Sequence, residues 1–489
     1  MLTGCERQST PQPDPRLLRR PLTNRVDIQN VILISIDTLR ADHLGCYGHE
    51  YVKTPHIDAF AAEAMLFTTH INAAPSTLSS HTALMTGTYP HTHGTPKNGH
   101  VVNEKNIMLA EVLQEAGFVT AGFVAAFPLD SVVGFAQGFI HYDDEFDDLK
   151  TRQVRDQTQR RGDKVTDVVL KWLKAYHAQS AGAGRLFLFA HYFDVHWPYD
   201  APPPYGGMYQ TGGSAPDGSM KAVHRTRRML SKGQVERGRR AADVLRREYG
   251  AEITYCDLQV GRLLEDLKAR GYYDNSLMII TSDHGETFDE HLDVYAINHG
   301  VSVFDTEIHT PLIVRFPKGR FGGRTVSRLV SNIDVMPTIL HLLDLPENAR
   351  LEGISFAGLI DGPLPERAPV FAEATQPFWK PYTELFHSDP IWLNRGKFQA
   401  IRSATHKYMF RLPDQRFGLF DLAKDPGEQA NLLTNQAGAD ADLAKQMRRQ
   451  LERWCQIEPD LVSPDLRTLR EVDQKLKDLG YLDAEDAGD

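Results

Sequence analysis

The sequence has no apolar run of the roughly 18 residues that a membrane-spanning helix needs, which excludes an ordinary helical anchor. Cysteine is scarce too. Cys5, Cys46, Cys256 and Cys455 are the only four in 489 residues and no two form a CxxC pair. Neither a disulfide framework nor a thiolate zinc cluster is therefore indicated. Positive charge is in deficit: 54 Lys and Arg face 64 Asp and Glu, a net charge of −10. Such a chain lacks the electrostatic footprint of a nucleic-acid binder. What is present is an ordinary globular mixture, 41% hydrophobic and 24% charged, which excludes a disordered or collagen-like chain. The length allows two or three domains, and one large α/β domain with a smaller appendage fits it equally well.

Residues 1–26 carry Pro11, Pro13, Pro15 and Pro21 among polar and basic residues and read as a flexible tail. Within it, Leu2-Thr3-Gly4-Cys5 is similar to a lipoprotein cleavage box. If an upstream start supplies the missing apolar stretch, the protein belongs to the cell envelope as a periplasmic lipoprotein; otherwise it is cytoplasmic. Beyond the tail, Val31–Ile36, Phe118–Val124, Leu186–Phe193 and Leu277–Ile280 are short apolar runs suited to buried strands. Leu109–Ala116 reads as a helix closed by Gly117. Ile253, Cys256, Val260, Leu263, Leu264 and Leu267 share one helical face, closed by Gly271. Strands and helices thus alternate over residues 27–365, the pattern of an α/β fold. From 366 to 489 the rhythm weakens, and Phe398–Phe410 reads as a strand pair followed by helix.

Acids and imidazoles gather where these strands end. Asp37 follows the first run, Asp194 and His196 follow the third, and Asp283-His284-Gly285-Glu286 follows the fourth. Ligands of open parallel sheets bind outside the carboxyl ends of strands, so these ends predict one shared site. In Pro75–Gly87, Ser79 or Ser80 can cap a short helix that Gly87 ends, which places Thr77 beside a helix N-terminus that favours an anion. A threonine hydroxyl is a weak nucleophile unless a metal lowers its pKa, and Asp37, Asp283 and His284 are residue types that hold one. On residue type alone, Thr77 also fits a plain capping role. Between Lys221 and Gly250, ten Lys and Arg face Glu236, Asp243 and Glu248, a local balance of +7. This basic insertion, about 205–250, reads either as a lid over an anionic substrate or as a solvated helix.

The segments VILISIDTLRADHLGCYG (31–48), HTALMTGTYPHTHG (81–94), HYFDVHWPY (191–199), ITSDHGE (280–286), the HG of His299-Gly300 with TPLIV (310–314), and LFDLAKDPGEQANLL (419–433) occur in this order. In that order they resemble the sulfatase family of the alkaline phosphatase superfamily. The resemblance implies a large, mainly parallel sheet flanked by helices, a smaller C-terminal α/β domain, and one divalent metal beside the nucleophile. The family's C/S-x-P-x-R pattern falls on Thr77, Ser79 and His81. Oxidising a threonine gives a ketone, not an aldehyde, so no formylglycine is expected. The family's anion-binding lysine and histidine fall on Ala125 and Phe127, and a later lysine falls on His299.

TLSSHTALMTGTYPHTHG, led by Thr77, is similar to the pattern of nucleotide pyrophosphatases/phosphodiesterases in the same superfamily, whose nucleophile is the leading Thr. Asp37, Thr77, Asp283 and His284 match that family's metal set one for one. The resemblance makes His196 and His299 leaving-group or anion-binding residues; Asp194, His196 and His299 are also candidates for a second metal site. His81 stands where the family binds the substrate anion, and Arg40 and Asp194 are further substrate-binding candidates, with ion-pair and supporting roles as their alternatives. Oxygen ligands with one imidazole suit Mn²⁺ or Zn²⁺ better than Ca²⁺. The function expected is hydrolysis of anionic esters, phosphate mono- or diesters first, with Thr77 as nucleophile. A sulfatase with unmodified Thr and a non-catalytic binding protein are the alternatives. The substrate is a small anionic ester, or a sulfated or phosphorylated glycan or lipid headgroup; no nucleic acid is expected.

Overall fold

Alternate side chains of strand β1 (Asn30–Ile36) enter two different cores. Ile32, Ile34 and Ile36 pack on one face of the sheet and Val31 and Leu33 on the other, all essentially without solvent exposure. That is the expected pattern for a strand covered by helices on both sides. The computed structural model describes residues 21–146, 159–180, 184–211, 215–292, 296–375, 397–411, 416–435, 439–457 and 461. The lipobox-like Leu2–Cys5 lies outside them. Residues 21–26 do not extend freely: Thr23 N and Asn24 N donate to Asp361, and Leu22 and Val26 pack on the core.

The central sheet has eight strands in the order β5-β4-β6-β1-β7-β8-β2-β9. These are β2 (Met65–Phe67), β4 (Phe118–Phe123), β5 (His141–Asp143), β6 (Arg185–Tyr192), β7 (Ser276–Thr281), β8 (Leu312–Arg315) and β9 (Arg324–Val326) beside β1. From β5 through β7 the strands run parallel, whereas β8 is antiparallel to both β7 and β2. The first face is covered by α4 (Gly162–Ser180) and the long α6 (Val235–Ala269). The second is covered by α2 (Thr77–Thr86), α3 (Leu109–Glu115) and α7 (Val335–Leu342); Pro55–Ala62 is α1. Each buried Leu, Ile or Phe in these layers contributes about 1.5–3 kcal/mol of transfer free energy. In the basic segment, α5 (Met220–Ser231) leads into α6, which runs on unbroken into the core.

A small parallel pair joins β3 (His70–Ile71) to β10 (Val330–Ser331). The C-terminal part is an antiparallel sheet of β11 (Val370–Thr375), β12 (Lys397–Arg402), β13 (His406–Arg411) and β14 (Arg416–Asp421), with α8 (Ala439–Cys455) following. Buried charges fasten this sheet to the larger one: Asp305 pairs with Arg402 at 3.0 Å and Lys407 at 2.5 Å, and Lys407 also reaches Glu428 at 2.7 Å. Cys46, Cys256 and Cys455 are free thiols. No described helix is long and apolar enough to cross a membrane.

β1 lies between β6 and β7, although it precedes both by more than a hundred residues. Ser35 is in register with His191 on one side and Thr281 on the other. Asp37, His191, Asp283 and His284 are consequently delivered to one edge of the sheet.

Candidate active site

Asp37 is the first residue beyond β1, and Asp283 and His284 lie just beyond β7; all three are buried. Asp37 Oδ1, Asp283 Oδ2 and His284 Nε2 converge, with His284 Nε2 3.8 Å from the former and 3.5 Å from the latter. Both carboxylate oxygens are buried and have no hydrogen-bond partner among the described residues. Two desolvated anionic oxygens facing one another are unfavourable without a cation between them. His284 is turned to match: its Nδ1–H donates to the Gly285 carbonyl at 3.0 Å, leaving the Nε2 lone pair for the cluster. The three ligand atoms lie within 4.8 Å of one another, a spacing compatible with one divalent ion.

The electrostatics carry the same strain. Burial and the neighbouring Asp283 raise the Asp37 pKa well above the usual carboxylate range. Burial also pushes Asp283 upward, but His284, His81 and His191 outweigh it and hold Asp283 at about 2. His284 is raised, because Asp283 and Asp37 overcome its desolvation.

Thr77 opens α2, and its Oγ1 stands 3.5 Å from His284 Nε2. The N-cap is Ser76, so Ser79 and Ser80 fall inside the helix and do not cap it. The Leu78 amide is capped from outside the helix by Asn98 Oδ1, which accepts from it at 2.8 Å, while Ser80 Oγ donates to the Asp283 carbonyl at 2.6 Å. Gly87 ends the helix as expected, in the left-handed region at φ 66°.

The remaining sequence candidates divide. His196 and His299 join the cluster's rim: the His299 ring stacks on His284 at 4.6 Å and meets the His196 ring edge-on at 4.8 Å. His196 Nδ1–H donates to the Trp197 carbonyl at 2.7 Å and His299 Nδ1–H to Glu286 Oε2 at 3.2 Å, so both present Nε2. Desolvation and neighbouring imidazoles hold both rings well below the ordinary histidine pKa.

His81, Arg40 and Asp194 are engaged elsewhere. His81 Nδ1–H donates to the Thr77 carbonyl and its Nε2 accepts from Ser35 Oγ, each at 2.8 Å, so no ring nitrogen is left for an anion. It braces the first turn of α2 against β1. Arg40 pairs with Asp42 at 2.7 Å and Glu290 at 2.6 Å, the ion-pair alternative for this residue. Asp194 turns away to accept from Gly162 N at 2.9 Å, at the start of α4, so Asp194, His196 and His299 do not converge on a second ion.

His191 and Asn98 were not singled out from the sequence, and Glu286, noted there at a strand end, was given no role of its own. His191 Nδ1 accepts from Ala125 N at 3.3 Å, leaving Nε2–H directed at Asp37 Oδ2, also at 3.3 Å. Glu286 Oε2 accepts from Tyr199 OH at 2.9 Å as well as from His299, and burial raises its pKa to about 7. The only sequence signal for His191 was an imidazole inside an otherwise apolar strand run.

A sheet of this order, with an acid–imidazole cluster at the carboxyl ends of its central strands and a hydroxyl at a helix start, defines a superfamily of ester hydrolases. The sulfatase family model matches residues 29–345, and the C-terminal model of N-sulphoglucosamine sulphohydrolase matches residues 300–456. The chain belongs to the sulfatase family, within the alkaline phosphatase superfamily, and is an ester hydrolase. It is 27% identical to an ulvan-active sulfatase of Formosa agariphila, covering 86% of this chain and 81% of that one. It is 23% identical to an arylsulfatase of Clostridium perfringens, with coverages of 83% and 90%. Its fold superposes on a phosphonate monoester hydrolase of Agrobacterium radiobacter with a TM-score of 0.68 at 23% identity, over 88% of this chain and 96% of that one.

Proposed function

We propose that the protein hydrolyses phosphate or phosphonate esters with the unmodified Thr77 hydroxyl as nucleophile. The observation carrying this reading is Thr77 Oγ1, 3.5 Å from His284 Nε2 at the first turn of α2. Asp37, Asp283 and His284, together with Thr77 itself, would hold one divalent ion, Mn²⁺ or Zn²⁺ by their donor set. Such an ion lowers the pKa of a bound hydroxyl and polarises the ester.

The chain's own residues do the rest. Thr77 Oγ1 gives up its proton to solvent and attacks phosphorus, forming an Oγ1–P bond as the P–O bond to the alcohol breaks. The leaving alcohol receives a proton taken up from solvent on Nε2 of His196 or His299, whose low affinity for protons in the free protein rises beside the ester's negative charge. Water then attacks phosphorus, returns the Thr77 hydroxyl and leaves the free acid; the net consumption is one water per ester. The positive end of α2, where Thr77 stands, would favour the ester's anion. A phosphothreonine can be opened at phosphorus in this way, whereas a sulfated threonine lacks the second hydroxyl by which a formylglycine hydrate expels sulfate.

The second reading, a sulfatase using unmodified Thr77, is favoured by the similarity to the ulvan-active enzyme. Parallel turnover of an aryl sulfate, a phosphate monoester, a phosphodiester and a phosphonate monoester by Mn²⁺- or Zn²⁺-loaded protein separates the two. The phosphorus esters should be turned over faster. A dominant aryl sulfatase activity establishes the second reading, and inactivity on all four by metal-loaded protein points to a binding protein.

A further inference from the structure

The anion-binding positions of the family pattern are altered in this chain, yet one guanidinium from the basic segment reaches the rim of the site. α5 is seated by Ala222, Val223 and Thr226, all buried, and Gly238 of α6 lies so close to Leu230 that an added Cβ would stand 2.3 Å from its Cδ2. This packing fixes the helix and places Arg227 on its flank. Arg227 Nε donates to the Ile297 carbonyl at 2.6 Å and Nη2 to Asn298 Oδ1 at 3.3 Å. Its guanidinium carbon lies 5.5 Å from the centre of the Trp197 ring. It therefore bridges the loop leading to His299 and the loop leaving His196, the two imidazoles that face the leaving group.

Two features of this bridge are unexplained by its present contacts. Arg227 is half-buried and makes no ion pair among the described residues; Glu286, which acts on it electrostatically, is committed to Tyr199 and His299. Withdrawing a guanidinium from water without a counter-charge is costly. Beside it, Trp197 Nε1–H is buried with no hydrogen-bond partner among the described residues. A cation without an ion pair near the Trp197 ring and an unpaired donor on that ring's edge match a carboxylate, sulfate or phosphate carried on a ring or sugar. The outer face of α5 adds to the same field, since Lys221, Arg228 and Lys232 are exposed there.

We propose that Arg227 and Trp197 form a second anion subsite on the leaving-group side, so that the preferred ester carries a further negative charge on its alcohol portion. This rests on the hydrolase reading above, with His196 and His299 at the leaving group. It names a substrate bearing two separate anionic groups, the ester itself and a substituent on the alcohol.

The test compares 4-carboxyphenyl and 4-carbamoylphenyl esters of whichever acid the metal-loaded protein turns over. Their ring geometries match, and only one is charged. The wild type should favour the carboxylate by at least about tenfold in kcat/KM, mainly through KM, the value of one ion pair near 1.4 kcal/mol. Arg227→Met should bring the two esters to within about threefold of each other, and Arg227→Lys should restore part of the ratio. No preference in the wild type overturns the subsite. So does an equal fall of both esters in Arg227→Met, which makes Arg227 only a fastener of Ile297 and Asn298. Where no ester is turned over, the hydrolase reading fails, and the subsite is read separately from tryptophan fluorescence on titration with 4-hydroxybenzoate and 4-hydroxybenzamide, with Trp197→Phe as the difference control. Saturable, Arg227-dependent selection of the benzoate supports it; indifference between the two ligands contradicts it.

Discussion

His191 Nε2 points at Asp37 Oδ2 from 3.3 Å, on the opposite oxygen from the one that faces His284 Nε2. Asp37 is thus gripped from behind by an imidazole whose tautomer is set by the Ala125 amide. Supports of this kind typically hold metal affinity up by 10- to 100-fold. His191→Ala should weaken Mn²⁺ or Zn²⁺ binding by about that factor, read by titration calorimetry on the metal-free protein. Affinity equal to the wild type's removes His191 from the site.

Asp194 gives the opposite expectation. Its carboxylate accepts from Gly162 N at the start of α4 and has no part in the cluster. Losing a helix-start acceptor costs roughly 0.5–2 kcal/mol. Asp194→Ala should lower the denaturation midpoint accordingly while its KM for any ester stays that of the wild type. A raised KM with unchanged stability restores the substrate-binding role.

Lys407 is fully buried between Asp305 and Glu428. Lys407→Met leaves Glu428 without its cation and Asp305 with Arg402 alone, and should destabilise the protein by about 3–5 kcal/mol in chemical denaturation. The pH dependence follows from Asp305: burial raises its pKa, but Arg402 and Lys407 outweigh this and depress it well below the usual value. A depressed folded pKa contributes stability above the unfolded value of about 3.9, which is lost as pH falls toward the folded one. Wild-type stability should therefore decline below about pH 4 more steeply than that of Asp305→Asn. Parallel declines exclude Asp305 as the source.

The cluster was legible because its members stand where apolar runs stop. Asp37, Asp283 and His284 each follow a strand end, and the βα rhythm places such ends together. His191 was hidden because it sits within the strand run itself, where alternation gives it no marker. The start of α2 was misplaced because the sequence offers Ser79 and Ser80 as caps, whereas Asn98, twenty residues on, takes the Leu78 amide. Glu286 needed the pairing of Thr287 with Asn298 to bring His299 back over it. Arg40, by contrast, forms the ion pairs that its alternative reading named.

Metal removal bears on the cluster as a unit. Asp283→Asn keeps the side chain's shape but removes a ligand charge, and purified protein should then carry clearly less Mn²⁺ or Zn²⁺ than the wild type by elemental analysis. Equal metal content in the two proteins rejects the proposed ligand set.

The central claim is that Thr77 Oγ1 attacks the ester. Metal-loaded protein is mixed with the best phosphorus ester, quenched in acid during turnover, digested and mapped by mass spectrometry, beside Thr77→Ala and Thr77→Ser. A phosphoryl-type adduct is expected on the peptide containing Thr77, with loss of turnover by several orders of magnitude in Thr77→Ala and partial retention in Thr77→Ser, which keeps the oxygen. Near-normal turnover by Thr77→Ala, with no adduct in the wild type, contradicts that claim and assigns the attack to water.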